Sequence, residues 1–196
     1  MIRQETLPDR ILGTRTLFSG WLDLLMLKLR LNGVEQDRPL VDHPSGSAVL
    51  PYDPARRVAL TVAQTRGAIL FAGAQPLIEV IAGVAEDDDF AVTAQREAKE
   101  EAGVRLTDLQ RVAAVWMEPS TSTERVHLYL SQYRAGDRTD EGGGLPEENE
   151  RLAVLERPLT ELWDEVTSAE YADAKTLLLL QALRLRHPEL FAKDAP

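Results

Sequence analysis

Glu97, Glu100 and Glu101 stand at i, i+3 and i+4. On a helix this spacing places three carboxylates on one face. They repel one another there and weaken the helix unless positive charge sits among them. Arg96 and Lys99 are close in sequence but point in other directions around the axis, whereas a divalent cation would neutralise the cluster directly. Arg96 can still reach Glu100 at i+4 as an orienting ion pair. The chain has no cysteine, which excludes thiolate zinc sites, and its three histidines, His43, His127 and His187, argue against a multi-histidine cage. A metal held here would be held by oxygen, which means Mg²⁺, Mn²⁺ or Ca²⁺. Three acids taken alone also fit a solvated, mixed-charge helix face.

The elements around this segment follow from pattern. Ala91, Ala94, Ala98 and Ala102 recur at helical spacing after the acidic turn 86–89, and Gly103 is a natural helix stop. The alanine stripe packs the helix closely on a sheet and sets the acids at the rim of a cleft. Strands are expected at 47–52, 58–63, 77–82, 109–116, 126–133 and 152–155, and helices at 159–167 and 172–186. Upstream, residues 15–33 and 34–41 read as the two arms of a hairpin around Asn32-Gly33, with 39–46 as loop. Residues 139–150 form a glycine-rich acidic loop.

At 196 residues the chain suits one domain, or one domain with a small appendage. Lys and Arg total 22 against 32 Asp and Glu, a net charge of −10. That argues against nucleic-acid or anionic-membrane partners. The N-terminus carries charge early and no apolar run approaches a membrane span, so a soluble, cytoplasmic protein is expected.

Residues 96–104 match R-E-U-x-E-E-x-G-U, with U small or aliphatic, at every position. A chance match in a chain of this length has odds of roughly 1 in 10⁴ to 10⁵. This is the downstream half of the Nudix box, and the chain resembles the Nudix hydrolase superfamily. The stretch from Gly83 to Arg96 is one residue shorter than the family pattern, and Asp89 stands where the first Glu is counted from Gly83. Trp21 and its neighbours at 17–22, the segments 49–54 and 64–66, and the loops 122–125 and 143–150 are similar to ADP-ribose pyrophosphatases. The shortened box is similar to that of GDP-mannose hydrolases. The likeness covers about residues 15–188. It lacks the family's Arg before the first core strand, where His43-Pro44-Ser45-Gly46 stands, and its Ser-Pro-Gly, where Glu118-Pro119-Ser120 stands.

The resemblance implies an α/β/α sandwich around a mixed sheet at 45–196, preceded by an antiparallel β hairpin extension at 1–44 that serves a homodimer. It implies Mg²⁺-dependent (or Mn²⁺-dependent) cleavage of a nucleoside diphosphate sugar into nucleoside monophosphate and sugar phosphate. In that reading Glu97, Glu101, the Ala82 carbonyl and Glu150 hold metal. Glu100 is a further ligand or a supporting acid, Arg96 orients it, and Glu148 orients or deprotonates water. Arg66 would grip a phosphate with its two-pronged guanidinium. Trp21 would stack on a base and Glu124 would act as a loop acid near substrate. Surface or packing roles are the alternatives for Arg66, Trp21 and Glu124. The alternative for the whole chain is a Nudix module that binds a nucleotide without cleaving it.

Overall fold

The structure is a computed structural model, and it describes residues 8–85, 89–144, 152–170 and 172–192. The chain divides into two compact units. One takes in Met1–Ser45 and Trp116–Arg125, the other Gly46–Val115 and Val126–Pro196.

In the first unit β1 (Arg10–Ser19), β2 (Asp23–Leu31) and β3 (Val34–Asp42) form an antiparallel sheet in that order. The Asn32-Gly33 turn forms as expected: both residues have positive φ, 51° and 78°, as a two-residue hairpin loop requires. The extension is nevertheless a three-stranded meander rather than a simple hairpin, because β1 starts at Arg10 and turns back before Asp23. The loop expected at 39–46 shrinks to residues 43–45, because β3 runs on to Asp42. Pro39 lies within β3 opposite Met26. An edge strand tolerates proline because its outward N–H has no ladder partner to lose.

The second unit contains β4 (Gly46–Asp53), β5 (Val58–Gln64), α1 (Gly67–Phe71), β6 (Leu77–Glu79), β7 (Ile81–Val84) and α2 (Phe90–Ala102). After these come β8 (Leu109–Trp116), β9 (Arg125–Gln132), β10 (Ala153–Pro158), α3 (Leu159–Ser168) and α4 (Ala174–Arg186). The sheet runs β10-β5-β4-β9-β8, with β6 added to β5 and β7 added to β4. It is mixed: β4 pairs parallel with β9 and antiparallel with β5 and β7. Every residue of β4 is buried, which explains its nearly unbroken apolar run.

Helices pack on this sheet as the α/β/α reading expects. Ala94, Ala98 and Ala102 are fully buried and join Val49, Leu60, Val62 and Ile81 in one core cluster. Their small side chains let α2 approach β4, β5 and β7 closely. Helix α4 packs on β4 and β6 through Leu179, Leu180 and Leu183, all fully buried. The single strand expected at 77–82 is two short strands, broken at Val80, where the chain leaves β5 and joins β4.

Candidate active site

Helix α2 begins at Asp89, whose carboxylate accepts the Val92 N–H at 3.2 Å. This is an N-cap bond. Asp89, counted as the first acid of the box, therefore secures the helix start. The helix ends at Gly103, in the left-handed conformation at φ 64°. There Gly103 N–H bonds Lys99 O and Val104 N–H bonds Ala98 O, both at 3.1 Å. That doubled closure is why glycine is needed at this position.

Between these ends the acids separate by burial. Glu97 is 9% exposed and Glu101 only 2%, while Glu100 is partly exposed. Buried carboxylates are costly without compensation. Arg96 supplies part of it: its guanidinium lies 2.8 Å from Glu97 Oε1 and 2.8 Å from Glu100 Oε2, and donates to the Val84 carbonyl at 3.4 Å. The Glu100 pair was expected. The expectation that Arg96 points away from the acid cluster is overturned, because its long stem lets the fork reach two acids at once. Lys99 does turn elsewhere, to the Thr139 hydroxyl at 2.6 Å and to Asp140. The Lys99 ammonium holds the Asp140 carboxyl below its usual range.

Strand β7 lies against this face. A Cβ on Gly83 would run into the Glu97 carboxylate. Ala82 sits one residue earlier, paired with Ala48 of β4. In the same register Ser47 is flanked by Gly83 on β7 and His127 on β9. The Ser47 hydroxyl donates to the Phe90 carbonyl at 2.7 Å, and the Phe90 and His127 rings stack with centroids 3.6 Å apart. Phe90, Glu97 and Glu101 share one stripe of α2, so this stack secures the same face that carries the buried acids. Neither Ser47 nor His127 has a sequence signal that could have found it.

The C-terminal end of α2 receives the glycine loop. Gly143 N–H bonds Glu101 O at 2.8 Å and Gly144 N–H bonds Glu100 O at 3.4 Å. A Cβ on Gly142 would strike the backbone of Glu101 and Ala102. These glycines thus dock the loop on the acid-bearing turn. An open cavity of about 680 Å³ borders them, lined also by Arg138, Thr139, Asp140 and Leu152. Glu148 and Glu150, expected on this loop, lie outside the described residues.

Among the described residues, no three Asp, Glu or His side chains group closely enough to hold a metal by themselves. The donors do fit a hard divalent cation in kind: two largely buried carboxylates, oxygen only, with that of Glu97 seated where Gly83 of β7 lacks a side chain.

Arg66 follows β5, and its fork grips Glu79 of β6: Nε to Oε1 at 3.0 Å and Nη2 to Oε2 at 2.9 Å. With its amide oxygen turned toward Arg66, Gln64 accepts from the same guanidinium at 2.8 Å. The Arg66 side chain stays 41% exposed, while that of Glu79 is 5% exposed. Glu79 escaped sequence reasoning. Its one signal is a lone acid inside the apolar run 77–81.

Trp21 and Glu124 belong to the first unit and meet there at His43. Trp21 is 72% exposed and stands edge-on to the His43 ring at 5.0 Å. The Glu124 carboxylate lies 3.8 Å from His43 Nδ1.

Comparison with known proteins gives concordant matches. Residues 42–188 match the NUDIX domain. The chain is 37% identical over 155 residues to GDP-mannose pyrophosphatase of Cronobacter sakazakii, covering 78% of this chain and 80% of that protein. It is 33% identical over 162 residues to GDP-mannose pyrophosphatase of Salmonella typhimurium, covering 81% and 84%. A solved structure described as an ADP compounds hydrolase superposes with a TM-score of 0.74 at 18% identity, over 95% of this chain and 97% of that one, and so shares the fold. With the box helix folded and Glu97 and Glu101 buried on it, the chain belongs to the Nudix family.

Proposed function

We propose that the protein is a divalent-cation-dependent pyrophosphatase that cleaves a nucleoside diphosphate sugar, of the GDP-mannose or ADP-ribose type, into nucleoside monophosphate and sugar phosphate. The observation that carries this reading is the buried pair Glu97 and Glu101 on α2, with Glu97 against Gly83 of β7. Relatives named GDP-mannose pyrophosphatase support the substrate class.

Glu97, Glu101, the Ala82 carbonyl and Glu150 would hold Mg²⁺ or Mn²⁺. When bound, such an ion offsets the charge of the pyrophosphate and acidifies water. Glu100 supports this set, fixed in direction by Arg96. Glu148 would orient or deprotonate the attacking water. Arg66, held by Glu79 and 41% exposed at its side chain, would meet a phosphate. Trp21 offers an exposed ring for a nucleobase, and Glu124 steadies His43 beside it. The protein acts in the cytoplasm as a homodimer, a state supported by exposed Ile11, Phe18, Trp21 and Val34 on the first unit. A light-scattering mass of one chain, 21.8 kDa, at micromolar concentration would refute the dimer.

The deciding experiment is a panel of nucleotide sugars with Mg²⁺, run on wild type and Glu101→Gln, with the phosphomonoester products converted by a phosphatase to inorganic phosphate for detection. The expected result is hydrolysis of GDP-mannose or ADP-ribose by wild type and loss of about a hundredfold or more in the variant, with the fold intact. Equal rates would sink this reading of the site. Tight binding without release from any substrate would favour a nucleotide-binding module.

A further inference from the structure

Asp173 caps α4, accepting the Thr176 N–H at 2.9 Å. The Thr176 hydroxyl, completely buried, donates to Asp173 Oδ2 at 2.6 Å and accepts the Val80 N–H at 2.8 Å. A hydroxyl has one hydrogen, and here the carboxylate takes it. The oxygen lone pairs are therefore left for Val80. Val80 is the residue at which the strand changes partner: Glu79 pairs with Val62 of β5, and Ile81 pairs with Val49 of β4. Three residues past it, Gly83 receives the Glu97 carboxylate. One residue before it, Glu79 receives Arg66.

We propose that Thr176 is a positioning residue for the cation site: its hydroxyl, oriented by Asp173, fixes the strand switch at Val80 and so sets Ala82 and Gly83 against Glu97. The inference rests on the divalent-cation reading above. Thr176→Val keeps the side-chain shape and removes the hydroxyl, Thr176→Ser keeps the hydroxyl, and Leu183→Ala loosens the same helix while leaving the Thr176 hydroxyl in place. The test is a Mn²⁺ titration of each substrate-free protein by electron paramagnetic resonance, alongside thermal melts. Mn²⁺ affinity should fall about tenfold or more in Thr176→Val and stay within about threefold of wild type in Thr176→Ser. Leu183→Ala should melt earlier with its Mn²⁺ affinity unchanged. Wild-type Mn²⁺ affinity in Thr176→Val overturns the proposal, and so does equal weakening in Leu183→Ala. If Thr176→Val does not fold, Thr176→Ala takes its place, and an unchanged Mn²⁺ affinity there also overturns it. A wild-type protein that binds no Mn²⁺ overturns the cation reading itself and this inference with it.

Discussion

Glu97 lies over the Cα of Gly83, and what a Cβ there would meet is the far end of a flexible side chain. Gly83→Ala can therefore fold by pushing that carboxylate aside. Its stability should change by about 1 kcal/mol or less, while metal-dependent turnover falls about tenfold to a hundredfold. A thermal melt read beside initial rates checks both halves. Arg66 is a different case. Arg66→Met takes the guanidinium from Glu79, 4% exposed, and should cost about 1 to 3 kcal/mol, toward the lower end because Arg66 is 41% exposed. An unchanged melt with a raised KM would instead assign the arginine to substrate alone. The sequence made the α2 acids legible because their spacing is local and the helix period is fixed. It hid the Arg66–Glu79 pair because those residues meet only once β6 has paired with β5.

Helix α2 depends on its two ends. Asp89→Ala removes the N-cap acceptor and should lower stability by about 1 kcal/mol, with Asp89→Ser recovering most of it. Turnover per folded molecule should hold in both variants, as measured by rates normalised to folded fraction. A loss of activity in the fully folded Asp89→Ser protein would instead give Asp89 a part in the reaction. Helices α2, α3 and α4 and most core strands could be read from periodicity and from Gly103, whereas the short α1 was not expected. Three strand features could not. Pro39 signals a loop in sequence yet sits harmlessly on an edge. The break at Val80 falls within an apolar run, and its N–H is met by a hydroxyl on α4, 96 residues away. The start of β1 at Arg10 lies in a mostly exposed, polar strand with no apolar alternation to mark it.

Across the whole molecule, one polar network ties the turn after β4 to β10. Arg56 donates to Asp53 at 2.6 Å and to both oxygens of Glu156 at 2.7 and 3.1 Å, and the buried Tyr133 hydroxyl donates to Glu156 at 2.7 Å. Burial pushes both carboxyls up, but hydrogen bonds outweigh it: Arg56 and the Ala55 N–H for Asp53, and Arg56 and Tyr133 for Glu156. Both end below their ordinary values of 3.8 and 4.5. A carboxyl depressed by folding stabilises the fold above its unfolded pKa and loses that contribution as pH falls through the folded value. The melting temperature should therefore hold down to about pH 5 and drop below about pH 4.5, with a shallower drop in Arg56→Met. Melts across that range are the check. The guanidinium of Arg96 carries a consequence of its own. It answers the mutual repulsion of Glu97 and Glu100 from within the chain. Stripping ions with EDTA should abolish turnover yet leave a cooperative melt, lowered only by the mass-action share that bound metal contributes. Turnover should return in full when Mg²⁺ is restored. The apoenzyme would then be dormant rather than damaged, and could be purified and stored under chelation.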